Sequence, residues 1–225
     1  GYAGGSGIVI IRNSRANPEV TFTPNGNTKY VNSVSVSMDV NKGYNNLDTS
    51  TYKYTFSKSK TATPDKSFTR GNSYTFSGLS GIYYLIAQAC DTTRSCATQV
   101  SKAFYLDNTK PTANLSLTAS EFEVTAIVSN VVDEDSGLKN YGYLITTASS
   151  CPTTGYVTST NAQYTLNATA SGTYRVCVKI TDKAGNANTI SNTITVTITE
   201  ITYGTLISSY SCSNKTVGSS PYIIS

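Results

Sequence analysis

Histidine is absent from the 225 residues, and this removes more chemistry than any residue present adds. Without imidazole, the Ser-His-Asp and Cys-His arrangements that activate a nucleophile cannot be assembled. The His-containing metal sites go with them. What survives for a nucleophile is a Ser/Lys pair. Ser50-Thr51-Tyr52-Lys53 and Ser57-Lys58-Ser59-Lys60 both read S-x-x-K, a spacing that joins the two side chains across one helical turn. Both stretches lie in or beside a segment that alternates like a strand, where side chains three apart point to opposite faces. No S-D-N or K-T-G companion is present. No catalytic residue is expected, and the chain reads as a non-enzyme.

Carboxylates gather once, at Asp133-Glu134-Asp135. Asp107 and Asp182 are expected at the same end of the module that holds them. Loop carboxylates are hard oxygen ligands and suit Ca²⁺, so Asp107, Asp133, Asp135 and Asp182 form a candidate calcium set. The alternative is a solvated acidic loop whose aspartates only fix turns. A second stretch, Asp39 to Asp48 (DVNKGYNNLD), spaces oxygen-bearing side chains nearly alternately but lacks the spacing of an EF-hand loop.

Five cysteines in a Ser/Thr-rich chain point to an oxidising compartment. Cys90 and Cys96 flank a predicted tight hairpin, so a loop-closing disulfide is expected. Cys151 and Cys177 could join a loop to a strand. Cys177 alternates with Val176 and Val178, which predicts an outward-facing surface staple. Cys212 has no evident partner. Tyrosine is abundant, at 17 residues, and most of it alternates onto predicted core faces. Tyr44, Tyr84, Tyr156 and Tyr203 fall off those faces. Exposed Tyr among Asn and Ser is the composition of glycan and protein contact surfaces, while edge and loop packing is the plainer reading. Asn114, Asn167 and Asn214 begin N-x-S/T sequons, which matter only where the source glycosylates them. Lys102 and Asn192 near predicted last strands are considered for a Lys–Asn isopeptide bond, which also needs a buried acid beside them; none is evident.

Lys and Arg come singly, and the net charge is only +4. No electrostatic footprint for nucleic acid is present. No apolar run approaches the ~20 residues that span a bilayer, so no membrane insertion is expected. The chain starts at Gly1 without a visible signal peptide and reads as a piece of something longer.

The elements that must carry these residues are repeated. Gly81-Ile82-Tyr83 and Gly172-Thr173-Tyr174 each precede an Asp (Asp91, Asp182), Tyr52–Tyr54 matches Tyr141–Tyr143, and Pro18 matches Pro111. The offsets are 91, 89 and 93 residues. Within each unit the apolar residues alternate with period two. Val34/Val36/Met38/Val40, Tyr52/Tyr54/Phe56, Tyr74/Phe76 and Tyr83/Leu85/Ala87/Ala89 mark the first. Phe122/Val124/Ala126/Val128, Tyr141/Tyr143/Ile145, Tyr164/Leu166, Tyr174/Val176/Val178/Ile180 and Ile194/Val196/Ile198 mark the second. About seven short strands in each unit predict an all-β fold of tandem immunoglobulin-like, Greek-key β-sandwiches. The first spans residues 17–109 and the second 110–199. The junction LDNTKPTA is short and holds Pro111, which predicts a stiff linker. Residues 200–225 read as the start of a further module or a C-terminal extension. Residues 1–16 read as the end of a preceding module. Their apolar run Ile8, Val9, Ile10 and Ile11 either belongs to that module or adds as a strand to a sister subunit.

The second unit carries Asp107-Asn108-Thr109-Lys110-Pro111, then Asp133 to Gly137, then Thr181-Asp182-Lys183-Ala184-Gly185-Asn186. These match D-N-T-x-P, D-x-x-S-G and T-D-x-A-G-N, and the unit resembles the bacterial Ig-like repeats of large secreted and cell-wall proteins, of Gram-positive adhesin or stalk type. The first unit departs from the pattern, with Cys90-Asp91-Thr92-Thr93-Arg94-Ser95-Cys96 in the hairpin and no A-G-N. The start GYAGGSGIVIIR resembles the last strand of a glycine-rich module. The resemblance implies an extracellular, cell-surface stalk or fibre segment without catalysis, flanked by neighbouring modules of the same protein. The alternative is a binding module for a host glycan, a host protein or a sister subunit.

Overall fold

A computed structural model describes residues 16–199. The run Ile8, Val9, Ile10 and Ile11, together with Tyr203, Cys212 and Asn214, lies outside the described residues. Every regular element among those described is a strand.

In the first repeat β1 (Glu19–Thr23), β2 (Ser33–Asn41) and β5 (Ser73–Ser77) form one antiparallel sheet, in the order β1-β2-β5. The facing sheet runs β4 (Lys66–Ser67), β3 (Leu47–Ser57), β6 (Gly81–Asp91), β7 (Cys96–Val100). A short β8 (Phe104–Leu106) extends the line of β7 along β6. The second repeat reproduces the plan. β13 (Gln163–Asn167), β10 (Glu123–Val132) and β9 (Thr112–Ser120) face β12 (Val157–Ser159), β11 (Leu138–Thr146), β14 (Gly172–Asp182) and β15 (Ala187–Val196). The last strand is split in the first repeat and continuous in the second. The split falls at Ser101, whose backbone N–H donates to Leu85 O while its Oγ accepts the Leu85 N–H, both at 2.9 Å.

Each sandwich has its own core. Val36, Met38, Val40, Leu85, Ala87 and Phe104 are buried in the first, and Val124, Ala126, Tyr143, Val176, Val178 and Ile180 in the second. These sit at alternate positions because successive strand residues face opposite sides and only one side meets the other sheet. An aromatic pair crosses between the sheets at equivalent places: Tyr54 with Tyr74 at 5.1 Å, and Tyr143 with Tyr164 at 5.0 Å.

Tyr174 closes a corner of the second sandwich. Its hydroxyl donates to Ala170 O (3.0 Å) and accepts the backbone N–H groups of Thr169 (3.2 Å) and Ala170 (3.1 Å). A tyrosine tied back to the chain just upstream of its own strand is a hallmark of Ig-like sandwiches. Tyr174→Phe keeps the ring and removes these bonds, so a loss of about 1–2 kcal/mol is expected in urea unfolding. An unchanged midpoint would mean the hydroxyl contributes nothing.

Two expectations need correction. Phe122 does not join Val124, Ala126 and Val128 in the core; it is 46% exposed. It occupies the Glu121-Phe122 turn between β9 and β10, and the alternation was read one residue past the end of the strand. Cys177 is not at the surface, although it lies on the face opposite Val176 and Val178. It is fully buried because the segment after β11 folds back over the outer side of the sheet. Tyr156 of that segment lies so close to Gly142 of β11 that a Cβ there would stand 3.1 Å from the tyrosine Cβ.

Candidate cation centre and module junction

The chain passes from β8 into the second sandwich through Asp107, which is bonded to both repeats, and Asn108, which is bonded to the first. The Asp107 N–H donates to Val31 O of the first repeat (3.0 Å). Its Oδ2 accepts the Ser136 N–H of the second (3.0 Å), and its Oδ1 accepts the Thr109 N–H (2.9 Å). The Asn108 amide donates to Asn32 O (2.7 Å) and Leu79 O (2.8 Å), both in the first repeat. Asn186, in the β14–β15 hairpin, donates to Asp107 O (2.9 Å) and accepts from the Asn32 amide (2.5 Å). The Asn188 amide reaches Pro111 O (3.1 Å). Within the linker the N–H groups of Asp107, Asn108 and Thr109 and the carbonyls of Asp107 and Pro111 are all hydrogen-bonded.

Around Asp107 the second sandwich brings two more carboxylates. Asp107, Asp133 and Asp182 each offer an oxygen, and the three oxygens lie within 4.8 Å of one another. Asp107 opens the linker, Asp133 lies on the β10–β11 loop, and Asp182 is the last residue of β14. Asp107 and Asp182 are fully buried. Two glycines shape the loops: Gly137 at φ 75° and Gly185 at φ 99° occupy the left-handed region. Their N–H groups donate to Asp133 Oδ1 (2.5 Å) and Asp182 Oδ1 (2.6 Å). Asp182 also accepts the Asn186 N–H (2.8 Å) and side-chain amide (2.7 Å). Asp133 Oδ2 is buried with no hydrogen-bond partner. Burial, followed by the charges of Asp107 and Asp182, pushes the Asp133 pKa up.

In the first repeat the same position stands outside any carboxylate cluster among the described residues. Asp91 is the repeat partner of Asp182 and is also buried. It accepts the Asn45 amide (2.8 Å), the Thr93 N–H and hydroxyl (both 2.8 Å) and the Ser95 N–H (2.9 Å). The Asn45 bond is foremost in holding its pKa down at about 2. Asp182 likewise accepts an amide, from Asn186, but the second repeat also places Asp107 and Asp133 beside it. Three carboxylate oxygens this close repel one another, and a cation between them would offset that repulsion. Loop carboxylates at this separation suit a hard cation such as Ca²⁺.

Asp135 stands outside the triad. Burial, then Asp107 and Asp133, raises its pKa, and the charge of Lys58 from the first repeat opposes that rise. Asp39 and Asp48 do not come together as a site. Asp39 pairs with Arg70, and Asp48 accepts the Ser50 N–H (3.1 Å) and hydroxyl (2.6 Å). The disulfides are Cys90–Cys96 and Cys151–Cys177, which fits an oxidising environment. Tyr44 is 67% exposed. Tyr84 is half-buried beneath the Lys60 ammonium, 4.7 Å from its ring centre. Tyr156 is half-buried and lines a groove with Asn140, Thr153 and Lys179. Lys102 and Asn192 are exposed and belong to different sandwiches. The bridging roles of Asn32, Asn108 and Asn186 were not anticipated. Asn108 and Asn186 stand inside the D-N-T-x-P and T-D-x-A-G-N motifs, which was the available signal; Asn32 carries none.

No family model matches the chain, and no curated protein matches it. Solved structures do. The chain is similar to titin domains A168-A170, at 12% identity over 80% of this chain and 66% of that one, with a TM-score of 0.50. It also aligns with the fibronectin(III)-like modules of Clostridium thermocellum CbhA, at 17% identity over 80% and 94% of the two chains, TM-score 0.38. The PKD1 domain of Vibrio anguillarum Epp aligns at 26% identity over 41% and 100%, TM-score 0.33. At these identities the titin likeness bears on fold alone. With the two matching strand plans and their separate cores, it defines the class as tandem Ig-like β-sandwiches.

Proposed function

We propose that this chain is a stiff stalk or fibre segment of an extracellular surface protein, of the Gram-positive adhesin type, without catalytic activity. The observation that carries the reading is the junction. Asp107 is hydrogen-bonded to both sandwiches and Asn108 to the first, so bending there breaks several bonds together. A spacer needs that property, and a flexible tether does not. Small-angle scattering of the purified, oxidised chain is expected to fit one elongated rigid pair. A profile that needs an ensemble of inter-module angles would sink the stalk reading.

The triad of Asp107, Asp133 and Asp182 supports a calcium ion as part of the same device, since a cation held there ties the linker to two loops of the second sandwich. Asp133 has a raised pKa, so its ionisation opposes folding. In EDTA its contribution to stability is present below the ordinary carboxylate range and is lost as the pH rises through the raised value. Calcium is expected to restore stability at neutral pH, by about 2.7 kcal/mol at a hundredfold excess over its Kd, and to do little in acid. Asp133→Asn places an amide beside Asp182, as Asn45 stands beside Asp91. It is expected to raise the melting temperature in EDTA and abolish the calcium response. Identical wild-type melting curves in calcium and EDTA at neutral pH would remove calcium from the account.

A binding role draws on a different feature, the exposed Tyr44 beside Asn45 and Asn46. That combination suits a glycan or protein contact.

A further inference from the structure

A cleft of about 510 Å³ opens beside the junction. Lys29, Tyr30 and Val31, from the segment between β1 and β2, line one side. Ser136, Lys139 and Lys183 of the second sandwich line the other. The volume is that of a small-molecule site. Neither sandwich has this cleft alone; it exists because the linker holds the two at one angle.

Its lining combines two chemistries. Tyr30 is half-buried, and its ring is held edge-on against Tyr105 at 5.5 Å. It offers a fixed aromatic surface of the kind against which sugar rings stack. Three lysines converge around it, all exposed. None has a carboxylate partner: the ion pair among the described residues is Arg70–Asp39, elsewhere in the first sandwich. Lys183 is placed by the hairpin that carries Asp182, its N–H donating to Gly137 O (2.9 Å). The negative charges that act on Tyr30 are Asp135 and Asp107; Asp107 is engaged by the Ser136 N–H, and Asp135 is opposed by Lys58. Unpaired like charges gathered at one cleft do not stabilise a fold. They do suit an anion.

We infer that this inter-module cleft binds an acidic carbohydrate, a sugar ring bearing a carboxylate or sulfate, with the ring against Tyr30 and the anionic group among Lys29, Lys139 and Lys183. A neutral sugar would leave the lysines uncompensated, and a simple inorganic anion would make no use of the aromatic wall. The inference sharpens the binding reading and rests on the rigid junction, which fixes the cleft; a rigid pair that takes no glycan would refute it and leave the stalk intact.

The test is a titration of the full chain, oxidised and in calcium-containing buffer, followed by amide NMR shifts. The probes are a hyaluronan tetrasaccharide, the neutral chitotetraose and inorganic sulfate. Saturable shifts centred on Tyr30, Ser136 and Lys183 are expected with hyaluronan and not with chitotetraose. The double variant Lys139→Gln/Lys183→Gln, at exposed positions, should melt like the parent and bind at least about tenfold more weakly, since each loses a charge-assisted contact. Tyr30→Phe, which keeps the ring, should bind like the parent. No shifts with hyaluronan, equal binding of chitotetraose, sulfate binding as tightly as the sugar, or a double variant of unchanged affinity would each overturn the proposal.

Discussion

Asp182→Ala is expected to destabilise the second sandwich by on the order of 3–5 kcal/mol, the range seen when a buried charged hydrogen-bond partner is removed. Three donors lose their acceptor together: the Gly185 N–H, the Asn186 N–H and the Asn186 amide. They lie in a hairpin whose φ of 99° at Gly185 leaves little alternative geometry. The damage should reach the linker, because Asn186 also holds Asp107 O and the Asn32 amide. Relief of carboxylate repulsion works the other way and is outweighed, since Asp182 has three partners where Asp133 Oδ2 has none. The two aspartates should therefore respond with opposite signs in EDTA: Asp133→Asn up, Asp182→Ala down. Denaturant unfolding together with hydrogen exchange at Gly185 and Asn186 checks this. A rise for both would mean that charge repulsion dominates the cluster, and a fall for both that hydrogen bonding does.

Removing the Cys151–Cys177 disulfide, as the double alanine variant, should cost more than removing Cys90–Cys96. The two bonds close chain separations of 26 and 6 residues. Chain-entropy accounting assigns them roughly 3.5 and 2 kcal/mol respectively. Native packing widens the gap. Cys177 is fully buried, and Cys151 and Tyr156 line one groove with Lys179 and Thr189. The segment that carries Cys151 and Tyr156 is therefore free to lift from the sheet once its anchor is gone. A fall in melting temperature of more than about 10 °C is expected for the long-range pair and less for the hairpin pair. Calorimetry of the two double variants gives the order directly. Equal falls would mean that loop length does not govern the stabilisation.

How far these features could be read in advance follows from their range along the chain. Strand identity and inward faces are local, because period-two alternation is written in neighbouring residues. Val34 to Val40 and Tyr174 to Ile180 were legible for that reason. Phe122 was misplaced because alternation does not mark where a strand yields to a turn. Cys177 was misjudged because facing away from the core was equated with exposure, and a segment from elsewhere in the chain covers that face. Asp107, Asp133 and Asp182 could be gathered in advance by the repeat and its resemblance. That Asp135 stands apart depends on where the β10–β11 loop turns, which adjacent residues do not state.

The sequence by itself determined the class of fold and its duplication, and through the absence of histidine it excluded imidazole chemistry. Those properties follow from composition and short-range pattern, which any compact arrangement of the chain must respect. Only the tertiary structure decided that Asn32, Asn108 and Asn186 lock the linker, that Asp91 is satisfied while Asp133 is not, and that Lys29 and Lys183 meet across one cleft. Each depends on residues from 46 to 154 positions apart being brought together, and such contacts are set by how the two sandwiches pack rather than by any local preference of the chain.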